Sequence, residues 1–275
     1  MSGAMKRITG GAAKNTASWA QYRKTLCHTL YWLGCVVFAH SAFAAEPRSG
    51  ITLHSTRVIY PQSAQGGVTL SLTNNAETAY LVQSWIRPWD NQDSAVKVAS
   101  PAPFLVTPPL QRLSGKETLA LRIRLTRNEL PTDRESLFAL MVKAIPSQSV
   151  NEASIQGNAV SGARLVLAVE THLKLFYRPE GLKAEAIRDI AAQLHFQRAG
   201  AVLKVRNPTP YYVTFDALSV GDSAITPPSL YAMVPPFGEQ TYPLPSNSAS
   251  AHRVSWQLID EFGSATAKLT QALTP

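Results

Sequence analysis

Short apolar stretches with a period of two, separated by turn residues, are the feature that most limits how this chain can fold. Residues 68–72 and 119–123 alternate apolar and polar side chains, and the longest apolar stretches cover residues 137–145 and 165–177. A period of two is typical of β-strands, and turns every 8 to 12 residues or so indicate an all-β sandwich. The 19 prolines argue against long helices. Only residues 184–192 could form a short helix.

A second series of such stretches begins near Leu194, so the chain contains two β-rich halves. The sequence Arg178-Pro179-Glu180-Gly181 separates them, and proline followed by glycine is typical of a hinge between domains. We therefore predict an N-terminal domain at residues 45–179 and a C-terminal domain at residues 180–275. Both are close to the usual size of a β-sandwich domain.

The first 44 residues have the pattern of a cleaved export signal. A basic pair at Arg23-Lys24 is followed by an apolar run at residues 30–39 and by Ala42-Phe43-Ala44, a signal-peptidase pattern. The apolar run is too short to cross a bilayer, although an N-terminal anchor is the alternative interpretation. The signal peptide is predicted at residues 1–44, with Met5 as an alternative start to Met1.

Removing this segment changes what the composition implies. It contains five of the 26 Lys and Arg residues and none of the 18 acidic residues, so the net charge falls from +8 to +3. The basic charge thus gives little support for nucleic-acid binding. Cys27 and Cys35 are also lost, so the exported chain would have no disulfide.

Several motifs along the chain resemble those of the periplasmic chaperones that assemble pili. They lie at residues 56–61 (TRVIYP), 73–75 (TNN), 104–109 (FLVTPP), 130–138 (LPTDRESLF), 143–146 (KAIP), 174–179 (KLFYRP), 207–213 (NPTPYYV) and 259–263 (IDEFG). Each motif alone is weak, but the series covers nearly the whole chain after residue 44. The resemblance implies two immunoglobulin-like β-sandwich domains with a cleft between them. It also implies a chaperone that folds fimbrial subunits, caps them and delivers them to an outer-membrane usher.

The resemblance further implies donor-strand complementation, in which the chaperone lends a strand to a subunit that lacks one. Residues 164–173 have the alternation that such a strand needs. We expect Leu165, Leu167 and Val169 to enter the subunit groove, and Val166 and Ala168 to face the chaperone's own core. On periodicity alone, a central strand of an ordinary sandwich remains the alternative.

Two cations, Arg57 and Lys174, lie within apolar stretches, where an unpaired charge is costly. The resemblance implies that both bind the C-terminal carboxylate of the subunit in the cleft, where charge-assisted hydrogen bonds would be strong. The alternative is two half-exposed cations whose aliphatic stems are buried.

Three further charges, Glu135, Arg178 and Asp260, would form an ion-pair cluster that sets the angle between the domains, again by resemblance. The alternative is three independent surface charges, each of which would contribute little to stability.

No motif of an enzyme competes with this interpretation. The chain lacks the G-x-S-x-G and H-E-x-x-H sequences and a cysteine cluster, and its histidines are scattered. We therefore expect no catalysis, cofactor, metal, nucleotide or nucleic acid, and a possible self-capping dimer or oligomer of the free protein. A two-domain adhesin or structural binding protein of the cell surface is the rival hypothesis. The polar connection at residues 146–163 leaves the choice between short-loop and long-loop subclasses open.

Overall fold

Nine strands form the first β-rich half of the protein. The computed structural model describes residues 50–89, 102–147, 167–248 and 250–273. The strands are β1 (Ile51–Leu53), β2 (Arg57–Pro61), β3 (Val68–Asn74), β4 (Tyr80–Pro88), β5 (Phe104–Thr107), β6 (Leu110–Leu113), β7 (Thr118–Leu125), β8 (Ser136–Pro146) and β9 (Val169–Arg178).

These strands form two sheets, in the orders β1-β3-β7-β5 and β2-β9-β8-β4-β6. Inward side chains of both sheets build one core, because alternate residues of each strand point to the same face. The largest fully buried members of this core are Leu72, Leu113, Leu121, Ile123, Leu140, Leu175 and Tyr177. The predicted alternation at residues 68–72 and 119–123 corresponds to β3 and β7, which pair with each other.

Among the described residues, the second half contains seven strands, a short α-helix and 3-10 helices at Ala191–Gln193, Pro227–Tyr231 and Ser246–Ser248. The α-helix is α1 (Ile187–Ile190), and the strands are β10 (His195–Ala199), β11 (Val202–Arg206), β12 (Phe215–Val220), β13 (Ser223–Ala224), β14 (Glu239–Pro243), β15 (Arg253–Leu258) and β16 (Leu269–Ala272). The sheets have the orders β10-β11-β14 and β13-β12-β15-β16. Their shared core includes Phe196, Leu203, Phe215, Tyr242 and Trp256.

The separate cores confirm the predicted all-β fold with two domains. Core residues of the first sandwich run from Val58 to Tyr177, and those of the second from Ala186 to Leu273. Helix α1 falls inside the stretch at residues 184–192 for which a short helix was possible. No helix within the four described ranges is long and apolar enough to cross a membrane. The predicted signal peptide and the connection at residues 148–166 lie outside the described residues.

Strand β9 presents two different faces. Its residues Leu173, Leu175 and Tyr177 are buried in the core of the first sandwich, and the pairing with β8 is regular from Val169 onward. Odd-numbered positions of this strand therefore face the core, and even-numbered positions face the other way. The prediction that even-numbered positions such as Val166 and Ala168 face the core is thus wrong, because the core residues of this strand are odd-numbered. Val166 itself lies outside the described residues.

Candidate functional site

The outer face of the sheet that contains β9 lies against the second sandwich. Phe176 and Leu137 are buried here with Met233 of the second sandwich, and Tyr212 packs against them. The ring centroids of Phe176 and Tyr212 are 6.1 Å apart. This apolar contact forms the floor of a cleft between the two domains. The residues that line a small cavity in it are Arg57, Ile59, Glu135, Phe176, Arg178, Ile187, Tyr212 and Glu261.

Arg57 and Lys174 lie side by side at this cleft. Strands β2 and β9 are parallel, and their register places Arg57 directly opposite Lys174. Both side chains point away from the core, because their neighbours Val58 and Leu175 are core residues. The parallel register thus brings together two cations that are 117 positions apart in the sequence.

The guanidinium of Arg57 is buried, and it has no carboxylate partner among the residues that the structure describes. Its residue is 8% exposed, its Nη1 donates a hydrogen bond to the carbonyl of Ile259 at 3.1 Å, and its Cζ lies 5.8 Å from the Phe176 ring centroid. Its Nε has no hydrogen-bond partner among the described residues. Burial lowers the pKa of Arg57, although the more distant carboxylates of Asp260, Glu261 and Glu135 oppose that shift.

Lys174 is half-buried next to this guanidinium. Burial and, to a smaller extent, the charge of Arg57 lower the pKa of Lys174 to about 8. Its Nζ lies 5.7 Å from the ring centroid of Trp89. Within the described part of the chain, no carboxylate lies within ion-pair distance of Lys174 or Arg57. Two neighbouring cations with free donors can bind an anion through charge-assisted hydrogen bonds.

A second charged group joins the domains a few residues away. Arg178, at the end of β9, binds Glu135 of the same domain with Nη2 to Oε1 at 2.7 Å and Glu261 of the second domain at 3.1 Å. Its Nη1 also donates to the carbonyls of Lys183 and Ala184. Arg178 and Glu135 are each 3% exposed. We call Glu135, Arg178 and Glu261 the interdomain clamp.

Glu135 also holds the second domain through its own backbone and side chain. Its N–H donates to the carbonyl of Pro210, and its Oε2 accepts from the N–H of Tyr212 at 2.8 Å. Burial raises the pKa of Glu135, and the Arg178 guanidinium opposes this effect. Oε1 of Glu261, the oxygen that accepts from Arg178, also accepts the N–H of Ala186 just before α1.

The predicted membership of Asp260 in this cluster is corrected by the structure. Asp260 binds Arg188 with Nη2 to Oδ2 at 2.7 Å, and its Oδ1 accepts the N–H groups of Phe262 and Ser264. Burial acts to raise its pKa, but these hydrogen bonds and Arg188 together lower it. Asp260 therefore shapes the turn that carries its neighbour, and Glu261 contacts Arg178.

The predicted donor residues that the structure describes are strongly exposed. Leu167 is 68% exposed and Val169 is 63% exposed, whereas Leu173, four residues after Val169 on the same face, is 2% exposed. Leu165 lies outside the described residues. β9 pairs with β8 from Val169 to Tyr177 but with β2 only from Lys174 onward. Among the described strands, the edge of β9 before Lys174 is therefore unpaired.

Sequence reasoning missed Glu261, Trp89 and Phe176. Glu261 stands beside Asp260 in the quoted motif, and choosing between the two required the geometry of the turn. Phe176 lies two residues after Lys174, so its position on the same face of β9 could have been derived from the strand period. Trp89 had no signal in the sequence, because its contact depends on how β4, β8 and β9 pair.

Comparison with known proteins identifies the group to which this chain belongs. The family "Pili and flagellar-assembly chaperone, PapD N-terminal domain" matches residues 50–183, and "Pili assembly chaperone PapD, C-terminal domain" matches residues 189–270. The chaperone protein FimC of Escherichia coli is 38% identical over 86% of this chain and 90% of its own length. The chaperone protein LpfB of Salmonella typhimurium is 38% identical over 86% of this chain and 92% of its own.

Comparison with solved structures also finds pilus chaperones. The complex of the SafA pilin with the SafB chaperone from Salmonella enterica matches with a TM-score of 0.69 and 33% identity, over 82% of this chain and 97% of that one. The periplasmic chaperone SfaE matches with a TM-score of 0.62 and 32% identity, over 82% of this chain and 100% of that one. The prediction of a non-enzymatic chaperone is thereby confirmed over that of an adhesin. The chain belongs to the PapD-like family of pilus assembly chaperones.

Proposed function

We propose that this chaperone acts in the periplasm, where it captures fimbrial subunits by donor-strand complementation and delivers them to an outer-membrane usher. The observation that carries the proposal is the pair of neighbouring cations, buried Arg57 and half-buried Lys174, at the end of the unpaired edge of β9. Two relatives support it, since SafB was solved with a pilin and SfaE is described as periplasmic. The signal peptide proposed at residues 1–44 would provide export, and a mature N-terminus at Ala45 would test it.

The cations would bind the C-terminal carboxylate of the subunit. A carboxylate has two oxygens and can accept several hydrogen bonds, which are stronger when both partners are charged. The bound carboxylate would also pair with Arg57 and Lys174, for which the described residues provide no carboxylate partner. A fixed carboxylate would set the register of the subunit strand, and a shift of one residue would turn its side chains to the wrong face.

The unpaired edge of β9 would supply the hydrogen bonds of the missing strand. An unpaired edge is a template for pairing with another chain, and here it ends at Lys174. A subunit strand with its carboxylate at Lys174 must therefore run parallel to β9. Leu167 and Val169 would then enter the subunit, since they continue the face on which Leu173 and Leu175 are buried. One apolar core would extend from the chaperone into its partner.

We call Arg57 and Lys174 the anchor. It is tested by changing either cation and recovering the complex from cells that co-express a fimbrial subunit. Arg57→Ala or Lys174→Ala should abolish the one-to-one complex and leave the chaperone folded. The expected loss is about 2–5 kcal/mol of complex stability, as for removing one partner of a buried charge pair. Lys204→Ala is the matched control, because Lys204 is an exposed lysine paired with Glu239 in the second domain. Complex at the wild-type level from Arg57→Ala would refute the anchor.

The donor strand is tested by introducing a charge at two positions of the same face. Val169→Asp should destroy subunit binding without changing the chaperone's melting temperature, because Val169 is exposed. Leu173→Asp should unfold the first domain, because an unpaired charge in a core costs several kcal/mol. Circular dichroism and co-purification measure the two effects. If Val169→Asp still captured subunits, donation by this strand would be excluded.

A further inference from the structure

We propose that Trp89 is a positioning residue of the anchor, which holds the Lys174 ammonium beside Arg57 without neutralising it. This inference rests on the proposed function, since it assumes that Lys174 receives a carboxylate. It adds a residue that does not itself contact the carboxylate and acts through the lysine.

The pairing of the strands explains how a tryptophan on β4's end reaches a lysine on β9. Lys174 is opposite Ala139 of β8 on one side and opposite Arg57 on the other. Trp89 directly follows Pro88, the last residue of β4, which pairs with Phe138 of β8. Ala139, which separates Lys174 from Arg87 of β4 in the sheet, has only a methyl group and leaves space for the indole above it. The separation of the ring and the ammonium is 5.7 Å, within the range of a cation–π contact.

The ring is itself held in place by the apolar cluster of the cleft. Trp89 is half-buried and packs against the cluster formed by Leu137, Phe176 and Met233. A fixed ring can orient a flexible lysine, whose four-carbon stem otherwise samples many rotamers. The second domain contributes Met233, so the position of the ring also depends on how the domains pack.

An aromatic ring suits this task better than a carboxylate would. A carboxylate near Lys174 would neutralise the charge and accept the hydrogen bonds that the subunit needs. The face of an indole attracts a cation through its quadrupole and carries no net charge. Lys174 therefore keeps its positive charge and free N–H donors, while the cost of its burial is partly offset. Phe176 has the same relation to Arg57, at 5.8 Å.

The first measurement needs no ligand. Lysine labelled with carbon-13 at Cε allows Lys174 to be titrated by NMR in the wild-type protein, Trp89→Leu and Trp89→Phe. Loss of the ring should lower the pKa of Lys174 below its wild-type value of about 8, because the ammonium loses an attractive partner. Phenylalanine should restore most of the shift. Trp85→Leu is the matched control, because Trp85 lies on the same face of β4 opposite Met141 and should leave Lys174 unchanged.

The second measurement separates positioning from simple packing. The probe is a peptide of about ten alternating valine and threonine residues, the length of a long strand, with either a free or an amidated C-terminus. Trp89→Leu should reduce the preference for the free carboxylate by about threefold or more. Equal weakening of both peptides, or a Lys174 titration identical to wild type, would overturn the inference. Lys174→Ala tests the anchor separately: an undiminished carboxylate preference in this variant would refute the proposed role of Lys174 in binding the carboxylate.

Discussion

Two groups of buried charges lie at the boundary between the domains, and they differ in whether their charges are paired. In the interdomain clamp, Arg178 contacts two carboxylates and two backbone carbonyls within the protein. In the anchor, Arg57 has one carbonyl and Lys174 has an aromatic ring, and neither has a carboxylate among the described residues. Arg57 of the anchor lines the same small cavity as all three residues of the clamp.

This difference indicates which group is structural and which is available to a ligand. A buried ion pair whose hydrogen bonds are satisfied contributes little further to binding, but breaking it is costly. A buried cation without a partner lowers stability, so its retention requires another explanation. The lowered pKa values of Arg57 and Lys174 reflect that cost. The clamp should therefore respond to mutation in stability, and the anchor in binding.

The largest effect is expected from Arg178→Ala. The substitution leaves Glu135 and Glu261 buried without their cation, and breaking a buried pair in this way typically costs about 3–5 kcal/mol. We expect a lower melting temperature by calorimetry. Lys183→Ala removes an ion pair with Asp189 whose side chains are both more than half exposed, so it should change stability little. Wild-type stability of Arg178→Ala would show that the clamp does not hold the domains together.

A change of stability in the opposite direction is expected at Lys174: Lys174→Met should raise the free energy of unfolding at pH 7. Its pKa of about 8 in the folded protein lies below the ordinary 10.5, so burial costs on the order of 3 kcal/mol at most. Below pH 8 both states are protonated and the cost is fully present. Between pH 8 and 10.5 the unfolded state binds more protons, so wild-type stability rises with pH. The advantage of methionine should therefore shrink towards pH 10.5.

Urea unfolding at pH 7 and pH 10 measures this difference, with Lys204→Met as the exposed control. The difference between variants, and not the absolute pH profile, is the relevant quantity, because tyrosines also titrate at high pH. If Lys174→Met were less stable than wild type at pH 7, the contacts of Lys174, including that with Trp89, would outweigh the cost of its burial, and the contrast with the clamp would fail.

A smaller effect on stability is expected at the turn around Gly263 in the second domain. This turn carries Ile259, which contacts Arg57, and Glu261, which contacts Arg178. Gly263 has φ of +81°, and an added Cβ would lie 2.5 Å from Oγ1 of Thr56, next to Arg57. Gly263→Ala should cost about 2 kcal/mol, of which 1–2 kcal/mol comes from the left-handed backbone. Gly200 has φ of +59° and open space around it, so Gly200→Ala measures the backbone contribution alone. Equal melting temperatures for the two variants would show that the turn is not tightly packed against Thr56.

Much of the fold could be predicted from the sequence because it follows from local pattern. The alternation at residues 68–72 gave β3, and the long apolar stretches at residues 137–145 and 165–177 correspond to β8 and β9. The domain boundary at residue 179 stays a prediction, although the two cores meet on either side of it. Period-two patterns show where strands lie, but they do not show which face meets the core when both faces are apolar.

That limit explains why the core-facing side of β9 was predicted wrongly. A similar limit explains why the charged cluster was predicted with Asp260 in place of Glu261. Both faces near Leu167 are apolar, so the sequence alone could not assign the core to the odd positions of the strand. Asp260 and Glu261 are adjacent acids, and only the turn at Gly263 determines which of them reaches Arg178. Trp89 meets Lys174 across two strand pairings. Contacts of this kind depend on which distant strands become neighbours, and a local pattern does not determine that.

The last prediction concerns pH and subunit binding, where the anchor should respond and the clamp should not. A carboxylate binds the protonated Lys174, so binding above pH 8 requires the uptake of a proton. With a pKa of about 8, roughly a tenth of the free protein is protonated at pH 9, and affinity should be about tenfold lower than at pH 7. Lys174→Arg stays protonated at both pH values, so its affinity should change little between them, whatever its absolute strength.

Titration calorimetry of the carboxylate peptide in buffers of different ionisation enthalpy would detect the uptake of the proton directly. The same pH step applied to Lys204→Arg should reproduce the wild-type loss, since that lysine lies outside the cleft. A wild-type affinity that is equal at pH 7 and pH 9 would mean that Arg57 alone binds the carboxylate, and that the burial of Lys174 serves the apolar floor of the cleft.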